Sequence, residues 1–213
     1  VTPVSILFEN EHFIAVNKPP GLLSIPGSNP REPNLLRELS RTFPKQSLLV
    51  IHRIDRETSG VIIFARHEEA HRIANGWFSS HIVKKEYLAI AQGSPRTPSM
   101  RVNHPVDGKP SLSQVQVIER FSNEEESGFL ARVRIATGRR HQIRVHLQAE
   151  GFPIFGDTRY GGPKRALGIT FSRVALHAEK LVIPKSELSE SVELIAPPPE
   201  DFEKWLVSLR RLP

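Results

Sequence analysis

The sequence predicts a mixed α+β fold, with a large and mainly antiparallel sheet flanked by short helices and loops. Segments that read as strands outnumber those with helical spacing. Several are separated by turns too short for a crossover, so those pairs must run antiparallel. The chain has 213 residues, 38% of them hydrophobic, which suffices for a buried core.

Ser5 to Glu9 and Phe13 to Asn17 form the first predicted hairpin, around a turn at Asn10 and Glu11. Lys18-Pro19-Pro20-Gly21, Pro26-Gly27 and Pro30 then mark a loop. Asn34 is a natural cap for a helix to Phe43, because Leu35, Leu36 and Leu39 share a helical face. Leu48 to Ile51 and Val61 to Ala65 read as buried strands that bracket a polar stretch, His52 to Gly60. A helix from Glu68 to Ser80 follows, with Ala70, Ile73, Ala74 and Trp77 at helical spacing, and then a strand from Lys85 to Ala91.

Prolines and turn residues make Ser94 to Ser111 a predicted loop available to a substrate. Ser113 to Phe121 and Phe129 to Ala136 are predicted strands around an acidic turn, Asn123 to Gly128. After Thr137-Gly138 a helix is expected to run to Ala149 and stop at Gly151. Arg173 to Ile183 and Val192 to Ile195 are late strands, and Pro199 to Leu209 closes as a helix. The whole is expected to form a single domain over residues 1–213, with no separate small domain before Ser5. The first residue is Val rather than Met, so the sequence does not define a native start.

Lys and Arg number 29 against 23 Asp and Glu, a formal charge of +6 that favours an anionic partner. There is no cysteine, which excludes disulfides and thiolate metal sites and suits a reducing cytoplasm. The longest apolar run, Val61 to Ala65, is far too short to cross a bilayer, and Val1 to Asn10 lacks the pattern of a secretory signal.

Two stretches carry chemistry. His52-Arg53-Ile54-Asp55-Arg56-Glu57-Thr58-Ser59-Gly60 crowds charge into a connection held at both ends by strands. Asp55 sits among arginines, which keep a carboxylate ionised and able to act as nucleophile or base. The plainer alternative is an ion pair that only fastens the loop. Thr137-Gly138-Arg139-Arg140-His141-Gln142-Ile143-Arg144-Val145-His146 places cations at a strand-to-helix junction, where backbone N–H groups and positive charge suit phosphate. Its plainer alternative is a basic, solvated helix face. His67-Glu68-Glu69-Ala70-His71 matches H-E-x-x-H, a zinc-protease pattern, but His67 falls at or before the predicted helix start, which disfavours paired ligation.

The first stretch resembles the H-R-L-D-x-x-T-S-G signature of RluA-type pseudouridine synthases, with Ile54 for leucine, and the second resembles that family's G-R-x-H-Q-I-R-x-H signature. Asn17 to Gly21, Lys85 to Ala89, Gly156 to Gly161 and Leu176 to Ala178 also resemble family blocks. The resemblance implies the pseudouridine synthase fold, with its sheet and loops around a central cleft. It also implies a cofactor-independent, metal-free isomerisation in which a flipped uracil is detached from ribose, turned, and rejoined through carbon 5.

Carried over by position, Asp55 is the essential carboxylate, Arg144 pairs with it, and Tyr87 stacks on the base and assists proton removal. Arg53 fills the stack left by the flipped nucleotide, Arg139 and His141 contact phosphate or order the loop, and His52, Arg56 and Thr58 join the RNA-binding set. The expected partner is a stem-loop of ribosomal or transfer RNA, bound by a cytoplasmic monomer with no membrane association. The competing class is a catalytically silent RNA-binding or assembly factor of the same fold.

Overall fold

The computed structural model describes residues 4–29, 31–45 and 47–213; Pro30, the last proline of the predicted loop, lies outside them. The chain divides into two compact units, one running to Lys85 and including Ala178–Pro197, the other comprising Glu86–His177 and Pro198–Pro213.

In the first unit β1 (Ser5–Glu9) and β2 (Phe13–Lys18) form the expected antiparallel hairpin. Asn10 Oδ1 fixes the turn by accepting from the backbone N–H groups of His12 and Phe13 at 2.9 and 2.7 Å. Helix α1 (Leu35–Thr42) is capped by Asn34, whose side chain accepts from Arg37 N–H at 3.0 Å. β3 (Leu49–Val50) is short and pairs with β4 (Ser59–Ala65), which also pairs with β2 in register from Phe13↔Ala65 to Lys18↔Gly60.

All seven residues of β4 are buried, and the reason is helices on both faces. Ile14, Val16, Ile62 and Phe64 pack with Leu35 and Leu39 of α1. Phe13, Ala15, Val61 and Ile63 pack with Ala70, Ala74 and Trp77 of α2 (Glu68–Ser79). A strand covered on both sides reads as a continuous apolar run rather than an alternating one, which is the pattern of Val61 to Ala65.

In the second unit the strands β5 (Lys84–Gln92), β6 (Ser99–Val102), β7 (Ser113–Ser122) and β8 (Ser127–Ile135) lie in the order β5-β8-β7-β6. β7 and β8 form a hairpin closed by Asn123, whose Oδ1 accepts from Glu125 and Glu126 N–H at 3.0 and 2.7 Å. β6 corrects the predicted loop from Ser94 to Ser111. It pairs with β7 as a four-residue edge, and with Ser99 and Arg101 exposed only two of its positions turn inward, too few to register as a period.

Helix α3 (Gln142–Ala149) begins later than expected, and a two-stranded hairpin, β9 (Arg165–Ala166) with β10 (Ile169–Thr170), had no apolar periodicity to announce it. β11 (Leu176–Ile183) and β12 (Val192–Ile195) are antiparallel partners. β11 starts three residues after the predicted Arg173, whose guanidinium is held instead by Asp201 at 2.7 and 2.9 Å. Asp201 lies in α4 (Glu200–Leu209), which buries Phe202, Trp205, Leu206 and Leu209 in a core with Phe155 and Phe171.

Candidate active site

The loop that carries Asp55 is braced from beneath by residues outside its motif. Lys18 at the end of β2 is fully buried, and its ammonium donates to the carbonyl oxygens of Pro19, Leu22 and Arg56 at 2.9, 2.8 and 3.1 Å. Three donors meet three carbonyls, so an otherwise costly buried charge is solvated by backbone dipoles. Gly21 N–H donates to Arg56 O at 2.9 Å, and Arg56 Nε returns a bond to Gly21 O at 3.0 Å. On the other side of the acid, Ser24 Oγ donates to Ile54 O at 2.7 Å and accepts from Ile54 N–H at 3.2 Å. The Lys-Pro-Pro-Gly segment and Ser24 beyond it are therefore the floor of the Asp55 loop, with bonds to the residues on both sides of Asp55.

Each predicted residue of this loop has a distinct setting. Asp55 is half-buried, and its carbonyl accepts from Thr58 N–H at 3.1 Å, closing a turn. Arg53 is exposed, and exposed Arg56 pairs with Glu32 at 2.6 Å. Thr58 is buried, so its influence on a ligand passes through the loop. His52 stacks on Phe78 with ring centroids 4.7 Å apart, and its Nε2 accepts from Ile63 N–H at 3.2 Å. Burial, with the nearby Lys85 charge second, pushes His52 down to about 3, which keeps it a neutral acceptor. The motif ends at Gly60 because nothing larger fits: its φ is +118°, and a Cβ there would lie 2.1 Å from the Ala178 carbonyl oxygen.

The second unit holds the other candidates. Tyr87 of β5 is half-buried and packs against the core. Arg144 of α3 is buried, and its Nε and Nη2 form a bidentate pair with Asp157 Oδ2 and Oδ1 at 2.6 and 2.8 Å. Its guanidinium carbon lies 5.0 Å from the centre of the Tyr160 ring. The Tyr160 hydroxyl in turn meets His141 Nδ1 at 2.9 Å. The segment from Gly156 to Gly161, legible in the sequence only as a resemblance, thus supplies the carboxylate and the ring that orient Arg144 and His141.

The expected placement of these cations in the first turn of a helix is corrected. His141 has a left-handed φ of +56° and Gln142 is the first helical residue, so Arg139 and Arg140 lie in a turn rather than on α3. The turn is closed by Gln142 Oε1, which accepts from Thr137 Oγ1 at 2.7 Å and from Arg139 N–H at 3.1 Å. Arg139 is half-buried, and its Nε is the one buried side-chain polar atom without a hydrogen-bond partner among the described residues.

The H-E-x-x-H histidines have other duties. His67 caps α2, its Nδ1 accepting from Ala70 N–H at 3.3 Å and its Nε2 lying 2.9 Å from His12 Nδ1, while His71 Nε2 lies 3.0 Å from Val50 O. Among the described residues no group of three or more His, Asp or Glu side chains is arranged to hold a metal, and no helix is long and apolar enough to cross a membrane.

A model of the RNA pseudouridylate synthase family matches residues 12–149, which include both motif loops and Tyr87. The chain is 32% identical over 209 residues to the dual-specificity RNA pseudouridine synthase RluA of Escherichia coli O157:H7, covering 90% of this chain and 92% of that protein. It is also 32% identical over 235 residues to ribosomal large subunit pseudouridine synthase D of Xanthomonas campestris pv. campestris, covering 98% of this chain and 70% of that relative. Among solved structures, human RNA pseudouridylate synthase domain containing 4 superposes with a TM-score of 0.78 at 25% identity, over 97% of this chain and 93% of the human one.

Proposed function

The chain belongs to the RNA pseudouridylate synthase family, with the fold of that family and an isomerase activity on RNA, and from that premise we propose that Asp55 is its essential carboxylate. The observation that carries this reading is the brace under the Asp55 loop, where Lys18 and Ser24 tie down Arg56 and Ile54 on either side of the acid. Positioning of a reacting group within a fixed loop is worth several orders of magnitude in rate, and such rigidity has little purpose in a loop that only links two strands.

The reaction is balanced without any co-reactant. The bond from ribose C1′ to uracil N1 breaks, a bond from C1′ to C5 forms, C5 loses its proton and N1 gains one. Asp55 serves this as an ionised group, Arg144 supplies the balancing positive charge, and Tyr87 stacks on the everted base and assists loss of the C5 proton. Asp157 and Tyr160 hold Arg144 in orientation for that task. Arg53 is solvent-facing and suited to occupy the stack that the uridine leaves, at a flipping cost of a few kcal/mol. Arg56, Arg139 and His141 contact or order the RNA, whereas His52 and Thr58 act by shaping the loop.

We take the two units as parts of one catalytic domain that works as a monomer in the cytoplasm. We take its substrate to be a stem-loop of ribosomal or transfer RNA, and a relative named for the large ribosomal subunit supports the ribosomal part of that reading. The test is pseudouridine formation in such RNA by the intact protein and by Asp55→Ala, with RNA affinity measured alongside. Product with the former, none with the latter and equal binding by both is the expected outcome. Product from Asp55→Ala would remove the acid from the reaction, and binding without product in either would favour the silent assembly factor.

A further inference from the structure

Helix α3 carries a second motif histidine that the chemistry above leaves unused. His146 is fully buried, and its Nε2 lies 2.8 Å from the carbonyl oxygen of His104. A carbonyl only accepts, so Nε2 carries the ring proton. Nδ1 is then the acceptor of the neutral ring, and it takes the hydroxyl proton of Ser113 at 2.8 Å. Burial is the first cause holding His146 below the ordinary histidine range, consistent with that neutral state.

The direction of the next bonds along the chain follows. Ser113 Oγ accepts from Gln142 Nε2 at 3.3 Å, and Gln142 Oε1 accepts from Thr137 Oγ1 and Arg139 N–H. One hydrogen-bond chain therefore runs from the turn at 137–141, through the first residue of α3 and through His146, to His104.

His104 opens a tight hairpin. Val106 and Lys109 exchange two backbone bonds of 3.0 Å, and Asp107 and Gly108 between them have φ of +51° and +70°, the signature of a type I′ turn. Ser111 Oγ closes the base by donating to His104 O at 2.7 Å. The hairpin exposes His104 and Lys109, and the turn at the other end of the hydrogen-bond chain exposes Arg140 beside the unpartnered Nε of Arg139. A buried donor without an acceptor is destabilising, so the Arg139 guanidinium gains by turning outward to an anionic oxygen brought by a ligand.

We propose that His146 is a positioning residue that locks the hairpin 104–111 and the turn 137–141 into one surface for the sugar-phosphate backbone of the substrate RNA, with the Arg139 guanidinium turning to a phosphate oxygen. The proposal rests on the reading of RNA as substrate. The occupant is chosen by charge and donor chemistry: Lys109, Arg139 and Arg140 are cations, and the unmet group is a donor that an anionic oxygen completes. A histidine that merely stabilised the core would need no directed chain to an exposed hairpin on one side and a cationic turn on the other.

The test uses the full chain and a uridine-bearing RNA hairpin, with His146→Asn, Ser113→Ala and Arg139→Ala. For each variant KM, kcat, melting temperature and the salt dependence of RNA binding are measured. The expected result for the first two is a KM raised about tenfold with kcat nearly unchanged. For all three the slope of log affinity against log salt becomes shallower, by about one unit for each phosphate that is no longer neutralised. Folded variants with the wild-type salt slope and KM would overturn the proposal. So would failure of both His146→Asn and Ser113→Ala to fold, which would assign the network to stability alone. Transfer of the effect from RNA to a polyglutamate peptide would overturn it in favour of an acidic protein partner. If the wild type binds RNA but makes no pseudouridine, the enzymatic reading falls, while the salt slopes still decide whether this surface grips RNA.

Discussion

Replacing Asp157 by Asn is the most direct probe of how the second unit holds Arg144. The side chain keeps its shape and one acceptor oxygen but loses its charge, beside a guanidinium whose side chain is 8% exposed and a carboxylate that is 1% exposed. With charge centres about 4 Å apart and an effective dielectric constant near 20, the Coulomb interaction alone is worth about 4 kcal/mol. Breaking a buried pair from one side costs about 3–5 kcal/mol, because the remaining charge stays in a poorly solvated place. Since Asn can still accept one bond, the lower end applies, and for a chain of this length about 3 kcal/mol lowers the melting temperature by roughly 6–12 °C.

The activity should fall as well, because Arg144 loses one of the two bonds, from Nε and Nη2, that together fix its plane. Thermal denaturation and single-turnover conversion of a uridine-bearing RNA measure the two effects. A double-mutant cycle with Arg144→Gln separates the pair from its surroundings: if the interaction is what matters, adding Asp157→Asn to Arg144→Gln costs much less than adding it to the wild type. An Asp157→Asn protein with wild-type melting temperature and rate would show that the bidentate pair carries neither stability nor orientation.

Lys18→Met retains the apolar stem but leaves the Pro19, Leu22 and Arg56 carbonyls without their shared donor, and about 3 kcal/mol should be lost, together with a fall in kcat, as read by urea denaturation and steady-state kinetics. An unchanged urea midpoint would refute the brace. Gly60→Ala places a methyl 2.1 Å from a backbone oxygen, so soluble yield and circular dichroism should report a protein that does not reach its native state. His52 binds its proton less readily in the folded protein, near 3, than at the ordinary value of 6.5 in the unfolded chain. Its contribution is therefore fully present above about pH 6.5 and is lost as pH falls toward 3, amounting to at most about 5 kcal/mol. Denaturant midpoints from pH 7 to pH 4 should decline less steeply in His52→Gln than in the wild type.

The sequence was most readable where burial imposes a simple period. The run from Val61 to Ala65 and the helical spacing of Ala70, Ala74 and Trp77 are two sides of the same packed layer, and each announced itself. β6 was not readable, because an edge strand with two solvent-facing positions has almost no pattern to display. The late start of α3 was hidden for a different reason. It depends on local geometry, the left-handed backbone of His141 and Gln142 Oε1 accepting from Thr137 Oγ1 and Arg139 N–H, and such geometry leaves no trace in apolar spacing. Asp55, Tyr87 and Arg144 were singled out by resemblance, whereas Asp157 and Lys18 lay in segments that resemble family blocks but received no role, because their importance lies in partners that the fold brings near.

That asymmetry has a physical origin. A reacting group is constrained by chemistry, so its type and neighbours repeat as a motif. A supporting group is constrained only by geometry, which many sequence contexts can provide. Fixing a residue's backbone costs about 1–2 kcal/mol in conformational entropy, so the bond from Thr58 N–H to Asp55 O would not by itself keep the turn around Asp55 ordered. The bonds from Lys18, Gly21 and Ser24 to Ile54 and Arg56 offset that entropy from outside the loop. For Arg144 the Asp157 carboxylate does the same work, because two parallel bonds fix the orientation of a planar guanidinium. Loss of either support should therefore degrade the placement of a motif residue while leaving its chemical identity intact.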